Sequence, residues 1–403
     1  MASIAWRNLW RNPRRTWLSA LAIAFAVLLL DFFMALQTGQ YATMIDSATT
    51  LLQGHVQVQH EGYDEEKHFE DTVTDAHRWV HRIETLPEVV AVAPRVQSFV
   101  LVSHGESSFA TELMGVETAV EPELSRLPAM IDEGRYMNTG DEGIIGVALA
   151  RNLGVGVGDE ITLLGAAKEG GVAALVVTVS GVFDSGLSEL DRALVQVPFE
   201  TFREAFALED EAHALVVRLR DVSRSDETIA AMEGLLPPEL VVLGWRELVP
   251  GLEQFIDLDR TSGYFFYVLL AVMVTLSIVN TFIMTVFERT REFGMLMALG
   301  LRPRSLVGLL QLETFCLVGI GVLIGLAGAV ALIGWLARVG FPLPDAAAGL
   351  FEGLHLPSRM FPALDTASLV TGASVMFVSV QLAALVPALR LRRLVPVVAL
   401  RAQ

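Results

Sequence analysis

Four apolar runs, each long enough to cross a bilayer as a helix, limit what this chain of 403 residues can fold into more than any other feature. A helix rises about 1.5 Å per residue, so about 20 apolar residues span about 30 Å of hydrocarbon. The runs are Trp17 to Gln37, whose only charge is Asp31, then Tyr264 to Phe287, Leu306 to Ala337, and Thr366 to Leu389. A hydrophobic share of 53% fits a chain partly solvated by lipid. The polar stretch from residue 40 to 260, between the first two runs, is large enough to bury a core of its own. The expected fold is therefore an α-helical membrane protein with four transmembrane helices and a large α+β extracytoplasmic domain inserted between helices 1 and 2.

Orientation follows from the arginines, because short cytoplasmic flanks are enriched in Lys and Arg. Arg7, Arg11, Arg14 and Arg15 precede the first run; Arg289, Arg291, Arg302 and Arg304 separate the second and third; Arg390, Arg392, Arg393 and Arg401 follow the fourth. These three flanks are expected in the cytoplasm, with both termini. The connector between the third and fourth runs has Arg338 and Arg359 against Asp345, Glu352 and Asp365, and belongs outside. The first run is read as a retained span, not a signal peptide, because it is long and no A-x-A site follows it. Trp6, Leu9 and Trp10 share one face of a short helix expected to lie at the cytoplasmic interface. The expected division is residues 1–38, the interfacial helix and first span; 39–262, the external domain; and 263–403, the remaining spans with a cytoplasmic helix over 288–304.

The external domain carries 39 of the 46 acidic residues against 15 basic ones, a net of 15 − 39 = −24. Such a surface repels nucleic acid and anionic lipid. The single cysteine, Cys316, falls within the third run, so packing and not an internal disulfide must hold the domain together. An internal echo marks its two ends. His81 to Val96 and Ala231 to Trp245 each read as a helix end, a proline turn and a β-branched strand, and each follows another strand-like run, Gly54 to His60 and His213 to Arg220. These two βαβ-like units are expected to pack together as a membrane-proximal lobe. Residues 95 to 200 are expected to form a β-rich distal lobe.

Sites for chemistry are missing. A phosphate-binding P-loop needs G-x-x-x-x-G-K-[ST], and neither Lys67 nor Lys168, the only lysines, sits in one. Gly154 to Glu160 is glycine-rich but lacks G-x-G-x-x-G and leads into a strand pattern. His77 and His81 have zinc-ligand spacing, yet Arg78 occupies the place of the glutamate base. The sequence thus assigns no catalytic residue, no metal site and no cofactor to this chain. Polar residues within the spans are the remaining candidates, because burying them in hydrocarbon is costly. Asn280, Glu313 and Gln381 share one depth and are expected to join spans 2, 3 and 4 by hydrogen bonds, with a proton path as the alternative. Asp31, Phe32 and Phe33 lie at a height similar to Phe265 and Phe266, as an interfacial aromatic belt or as a lateral gate for an acyl chain between spans 1 and 2.

The connector ERTREFGMLMALGLRPR places Phe293, Leu296, Met297 and Gly300 on a helical stripe flanked by Glu288, Arg289, Arg291 and Glu292, the pattern of a helix that docks in a protein groove. It resembles the E-R-T-R-E-I-G-x-x-x-A-L-G signature of FtsX-like, MacB-type ABC-transporter permeases, with Phe293 for the usual isoleucine. The segments Gly134 to Gly165 and Pro387 to Arg401 resemble the periplasmic domain and the C-terminal ending of the same family. The resemblance implies an inner-membrane, multi-pass permease that works as a dimer with a second permease subunit, either a copy or a related chain. It further implies a separate ABC ATPase holding ATP and Mg, with Glu288, Arg289, Arg291, Glu292, Phe293, Gly294, Met297, Leu299 and Gly300 at the coupling contact. The start of the chain together with Gly54 to Tyr63 is similar to lipoprotein-releasing permeases of the LolC/LolE type, which implies a lipoprotein substrate taken from membrane lipid and a periplasmic chaperone to receive it. MacB-like efflux of peptides or lipids, and mechanotransmission to a periplasmic cell-wall hydrolase, remain open alternatives.

Overall fold

The computed structural model describes residues 2–138, 140–168, 170–342 and 359–390. Among them four helices are long and apolar enough to cross a membrane. Span 1 is Pro13–Ala48, span 2 Pro250–Glu288, span 3 Pro303–Val339 and span 4 Thr366–Arg390. The first three have 36, 39 and 37 residues, well beyond what crossing requires. The domain boundaries expected after residues 38 and 262 consequently fall inside continuous helices. No proline interrupts either helix, and the lone glycines Gly39 and Gly263 weaken a helix without ending it. Residues Asp345 and Glu352 of the external connector, and Arg392, Arg393 and Arg401 of the last flank, lie outside the described residues.

The helical unit has its core where span 1 contributes Ala20, Ile23, Val27 and Leu30 against Ile278 and Phe282 of span 2, Leu317 and Val318 of span 3, and Met376 and Val380 of span 4. Small residues let spans 1 and 3 approach closely: a Cβ on Gly321 would lie 2.7 Å from that of Ile23, and one on Gly325 2.5 Å from the Ala24 carbonyl. The N-terminal helix Ala2–Leu9 packs on span 3, burying Ala5 and Leu9. Its tryptophans take the other side, with Trp6, Trp10 and Trp17 in edge contacts at 5.9 Å. Leu9 therefore faces inward, away from the two tryptophans whose side it was expected to share.

The other compact unit includes Ala42–Phe255. Its strands in chain order are β1 (Val56–His60), β2 (Val73–Thr74), β3 (Val89–His104), β4 (Ser107–Val116), β5 (Ile131–Gly134), β6 (Glu142–Gly146), β7 (Glu160–Ala166), β8 (Val172–Phe183), β9 (Leu194–Pro198), β10 (Glu211–Ala212), β11 (Ala214–Leu219) and β12 (Leu240–Gly244). Ten of them form one mixed sheet in the order β12-β1-β11-β3-β4-β9-β6-β8-β5, with β7 bridging β3 and β8. The two terminal βαβ units do pack together, and they do so by interleaving: β1 lies between β11 and β12, and β11 between β1 and β3, all antiparallel. The two terminal units and the strands of residues 95–200 share this sheet, because β3 is 16 residues long and pairs with β11 in its first half and with β7 in its second. Valines dominate the buried face, where Val56, Val58, Val92, Val96, Val195 and Val217 meet Phe199, Phe202 and Phe206.

His213 seals the junction of β11 and β3. Its ring stacks on Tyr63, its Nδ1 accepts the Gln97 N–H at 3.0 Å, and its Nε2 lies 3.1 Å from the Phe69 carbonyl oxygen. Those partners require a neutral ring with the proton on Nε2. Burial pushes its pKa down from 6.5 to about 4. Because the unfolded chain then binds the extra proton first, stability is full above pH 6.5 and falls as the pH drops towards about 4, by about 3 kcal/mol in total. The protection factors of the β3 and β11 amides in the full chain, hydrogen-exchange rates corrected for the intrinsic pH dependence, should fall across that window. His213→Gln, stable or not at neutral pH, should flatten this dependence relative to wild type.

Candidate functional site

Two places in the helical unit concentrate polar side chains. The first is the arginine-rich end, where spans 2 and 3 are joined by the connector helix Thr290–Ala298. Leu301 N–H bonds the Leu296 carbonyl and Gly300 N–H that of Met297, a Schellman closure that requires a left-handed residue after the helix. Gly300 supplies it at φ +96°, and Pro303 starts span 3 three residues later. Gly300 is therefore a helix stop.

The connector's apolar stripe turns inward. Phe293 is 1% exposed and joins Val286, Leu306, Val307, Leu310 and Ala388, with Leu296 and Met297 packed alongside. Gly294 is also buried. The stripe expected to dock into a partner thus anchors the connector to its own spans, since the bases of spans 2, 3 and 4 leave an apolar recess beneath it. The outward face is a different one: Arg291, Met295, Ala298 and Leu299, spaced by four, three and one, are all exposed, Leu299 at 83%.

Most of the connector's charges face the start of the chain. Arg11 forms a two-pronged pair with Glu292, and Arg15 Nη1 lies 2.7 Å from Glu288 Oε2. Arg289 donates to Glu292 at 3.2 Å and to Glu313 at 2.8 Å, while Asn8 Nδ2 donates to the second oxygen of Glu313 at 2.6 Å. The Arg11 guanidinium, helped by Arg289, holds the Glu292 carboxyl below the usual carboxylate range. A cavity of about 60 Å³ lined by Asn12, Thr16, Thr285 and Arg289 adjoins these bonds. Glu313 accordingly bonds Arg289 and Asn8, not Asn280 or Gln381. Asn280 is on the exposed side of span 2, and the buried Gln381 Oε1 has no hydrogen-bond partner. Depth along an axis brings residues to one level, but rotation about that axis decides which of them meet.

The second place is a cleft of about 500 Å³ between spans 1 and 2. Phe33 and Leu36 form one wall, and Phe266, Leu269, Leu270 and Met273 the other. Its polar end is a clamp that the sequence reading missed. Asp259 accepts from Tyr41 Oη at 2.7 Å and from Gln37 Nε2 at 3.0 Å, and Tyr267 Oη donates to Gln37 Oε1 at 2.7 Å. The signal available was Gln37, the last residue of the first apolar run, and Asp259, just over one turn before the second. Of the five expected gate residues, Phe33 and Phe266 line this cleft. Phe32 packs with Ala35, Ala329 and Ile333, and Phe265 is exposed outside the cleft. Asp31 is fully buried against span 4, where a Cβ on Gly372 would come within 2.0 Å of its Oδ1. Neighbours on a helix point about 100° apart, so residues 31, 32 and 33 serve three different surfaces. Among the described residues no three His, Cys, Asp or Glu side chains group as a metal site.

The MacB-like periplasmic core domain model matches residues 16–235, and the FtsX-like permease C-terminal model matches residues 264–396. The chain belongs to this family of ABC-transporter permeases. Its inserted unit is thus the periplasmic core domain. LolC of Xylella fastidiosa, a lipoprotein-releasing system transmembrane protein, is 25% identical over 332 residues, covering 80% of this chain and 77% of that one. LolE of Haemophilus influenzae is 24% identical over 240 residues, 56% of each chain. MacB of Nitrobacter winogradskyi, a macrolide export ATP-binding/permease protein, is 26% identical over 344 residues, covering 80% of this chain but 51% of that protein.

The Arg289–Glu313 pair is nearly dry, with side chains 11% and 10% exposed. Removing one charge of such a pair strands the other. Glu313→Gln retains the Asn8 bond but leaves the buried Arg289 with only the half-exposed Glu292, and should cost about 1 to 3 kcal/mol, measured as a lower midpoint of thermal unfolding in detergent. Combining it with Arg289→Met, which removes the stranded charge, should recover most of the loss.

Proposed function

We propose that this chain is the permease of an inner-membrane ABC transporter that draws lipoproteins out of the outer leaflet. Both termini are cytoplasmic in this reading, and a separate ATPase hydrolyses Mg-ATP. The observation that carries it is the cleft between spans 1 and 2. Its walls are apolar from Phe266 to Met273, about 10 Å of helix, and its end is polar at Gln37, Tyr41 and Asp259. Each methylene buried there contributes about 0.8 kcal/mol, while the polar end meets the head of the anchored cargo. The kinship with LolC and LolE supports a lipid-anchored substrate. That with MacB favours efflux of peptides or lipids as the second reading.

The permease acts as a dimer through span 2. Leu276, Asn280, Met284 and Phe287 are exposed along it at spacings of four, four and three, and Asn280 gives that stripe a hydrogen-bonding group in mid-membrane. A periplasmic chaperone receives the cargo.

Photo-crosslinkers at Phe33 and Phe266 should capture lipoprotein before ATP is added and release it afterwards, while one at Phe265 captures little. Equal capture at all three would mean an interfacial belt, and capture of soluble peptide would put efflux first. The ATPase docks on the exposed connector face. Leu299→Asp should weaken its co-purification by about 2 kcal/mol or more, with the permease's own thermal stability unchanged. Full retention of the ATPase by that variant would remove the assignment.

A further inference from the structure

The connector carries four charged residues between Glu288 and Glu292, with Arg291 alone turned outward to the exposed face. The others are bound within the chain, to side chains more than 270 positions away in Arg11 and Arg15 or to Glu313 of span 3. We propose that Glu288, Arg289 and Glu292 are positioning residues that strap the connector to the start of span 1, so that a displacement of the connector is delivered to spans 1 and 2 together. This inference rests on the reading of the connector as the ATPase contact.

Three observations carry it. The strap has a dry centre, where Glu313 takes Arg289 from the connector's edge and Asn8 from the N-terminal helix on its two oxygens. Two further pairs, Arg11–Glu292 and Arg15–Glu288, flank that centre and cross between the same elements. The segment they grip is stiffly joined to span 1: Thr16 Oγ1 donates to the Leu9 carbonyl at 2.5 Å, closing the turn between the N-terminal helix and the span, and Leu9 itself is buried in the core of the spans. Span 2 runs directly into the connector. Span 1 is remote from it in sequence and has no covalent route by which to feel it except through the whole inserted domain. Since spans 1 and 2 are the two attachments of that domain, a push on an unstrapped connector would reach span 1 only second-hand, through its packing on span 2 and the clamp at Asp259. The strap makes the push reach both directly.

The test uses the full chain with its ATPase in nanodiscs, in a Cys316→Ala background, with a single cysteine placed at exposed Ala42 on span 1 or at exposed Ser262 on span 2. The readout is the change in maleimide labelling rate when ATP with vanadate is added, which needs no substrate. Wild type should respond at both labels. Arg15→Glu, and more fully Arg11→Glu with Arg15→Glu, should reduce the response at Ala42 by about threefold or more while that at Ser262 and the retention of ATPase persist. Adding Glu288→Arg to Arg15→Glu restores opposite charges and should restore the Ala42 response, which a merely structural defect would not allow. An undiminished Ala42 response in the broken variants, or failure of the charge reversal to rescue it, would overturn the strap. A wild type that answers at neither label would remove the coupling reading and the strap with it, whereas loss of lipoprotein capture alone would leave the strap standing.

Discussion

A carboxylate in the lipid-flanked base of a helix needs a cation, and Glu313 obtains one from Arg289, the residue at which span 2 gives way to the connector. Its second oxygen takes Asn8, so one side chain fixes three segments of the chain at once. Much at this end of the bundle follows. The connector is held flat enough for Phe293 to fill the recess between spans, the N-terminal helix is held against span 3, and the remaining charges of the connector fall opposite Arg11 and Arg15. Charge pairs this dry contribute little net stability compared with apolar packing, but they tolerate few alternatives in geometry. Register, more than strength, is what this pair supplies.

Spans 1 and 2 are tied at two levels, by Arg15 with Glu288 and by Gln37 and Tyr41 with Asp259. Twenty-two residues separate Arg15 from Gln37, about 33 Å of helix. Between these ties the facing side chains are mostly apolar and leave the cleft open. The cleft occupies only the part of this length next to the Asp259 tie, because nearer Arg15 the side chains of Ile278 and Phe282 join Ile23 and Val27 in the core.

The spans, the inserted domain and its paired βαβ units were legible because each rests on a one-dimensional signal: length of apolar run, alternation of β-branched residues, proline turns. What the sequence withheld was rotation. Phe293 and Met297 lie on a stripe that reads as a docking face, and only the recess formed by Val286, Leu306 and Leu310 decides that the stripe points home. Asp31 sits beside two phenylalanines in the sequence, yet it is Gly372, over 300 positions later, that makes room for its carboxyl. Glu313 and Asn280 share a depth by count of residues, but rotation about the helix axes turns one to Arg289 and the other to the exposed side. The clamp at Asp259 was invisible for another reason: Asp259 lies outside the apolar runs, where an acidic residue looks like ordinary solvated surface.

The interleaving of β1 between β11 and β12 bears on how the domain can be made. β1 leaves the ribosome among the first strands, but both of its neighbours lie in the last quarter of the domain, ending at Gly244. Until they arrive its two edges stay unpaired, a template for wrong partners, while β3 and β4 can already close as a hairpin. Folding therefore has a built-in order, with the β3–β4 hairpin able to close first and β1 pairing with β11 and β12 last. A chain halted by truncation anywhere before Ala214 would hold a strand with nowhere to go, and one halted before Leu240 would leave it an open edge.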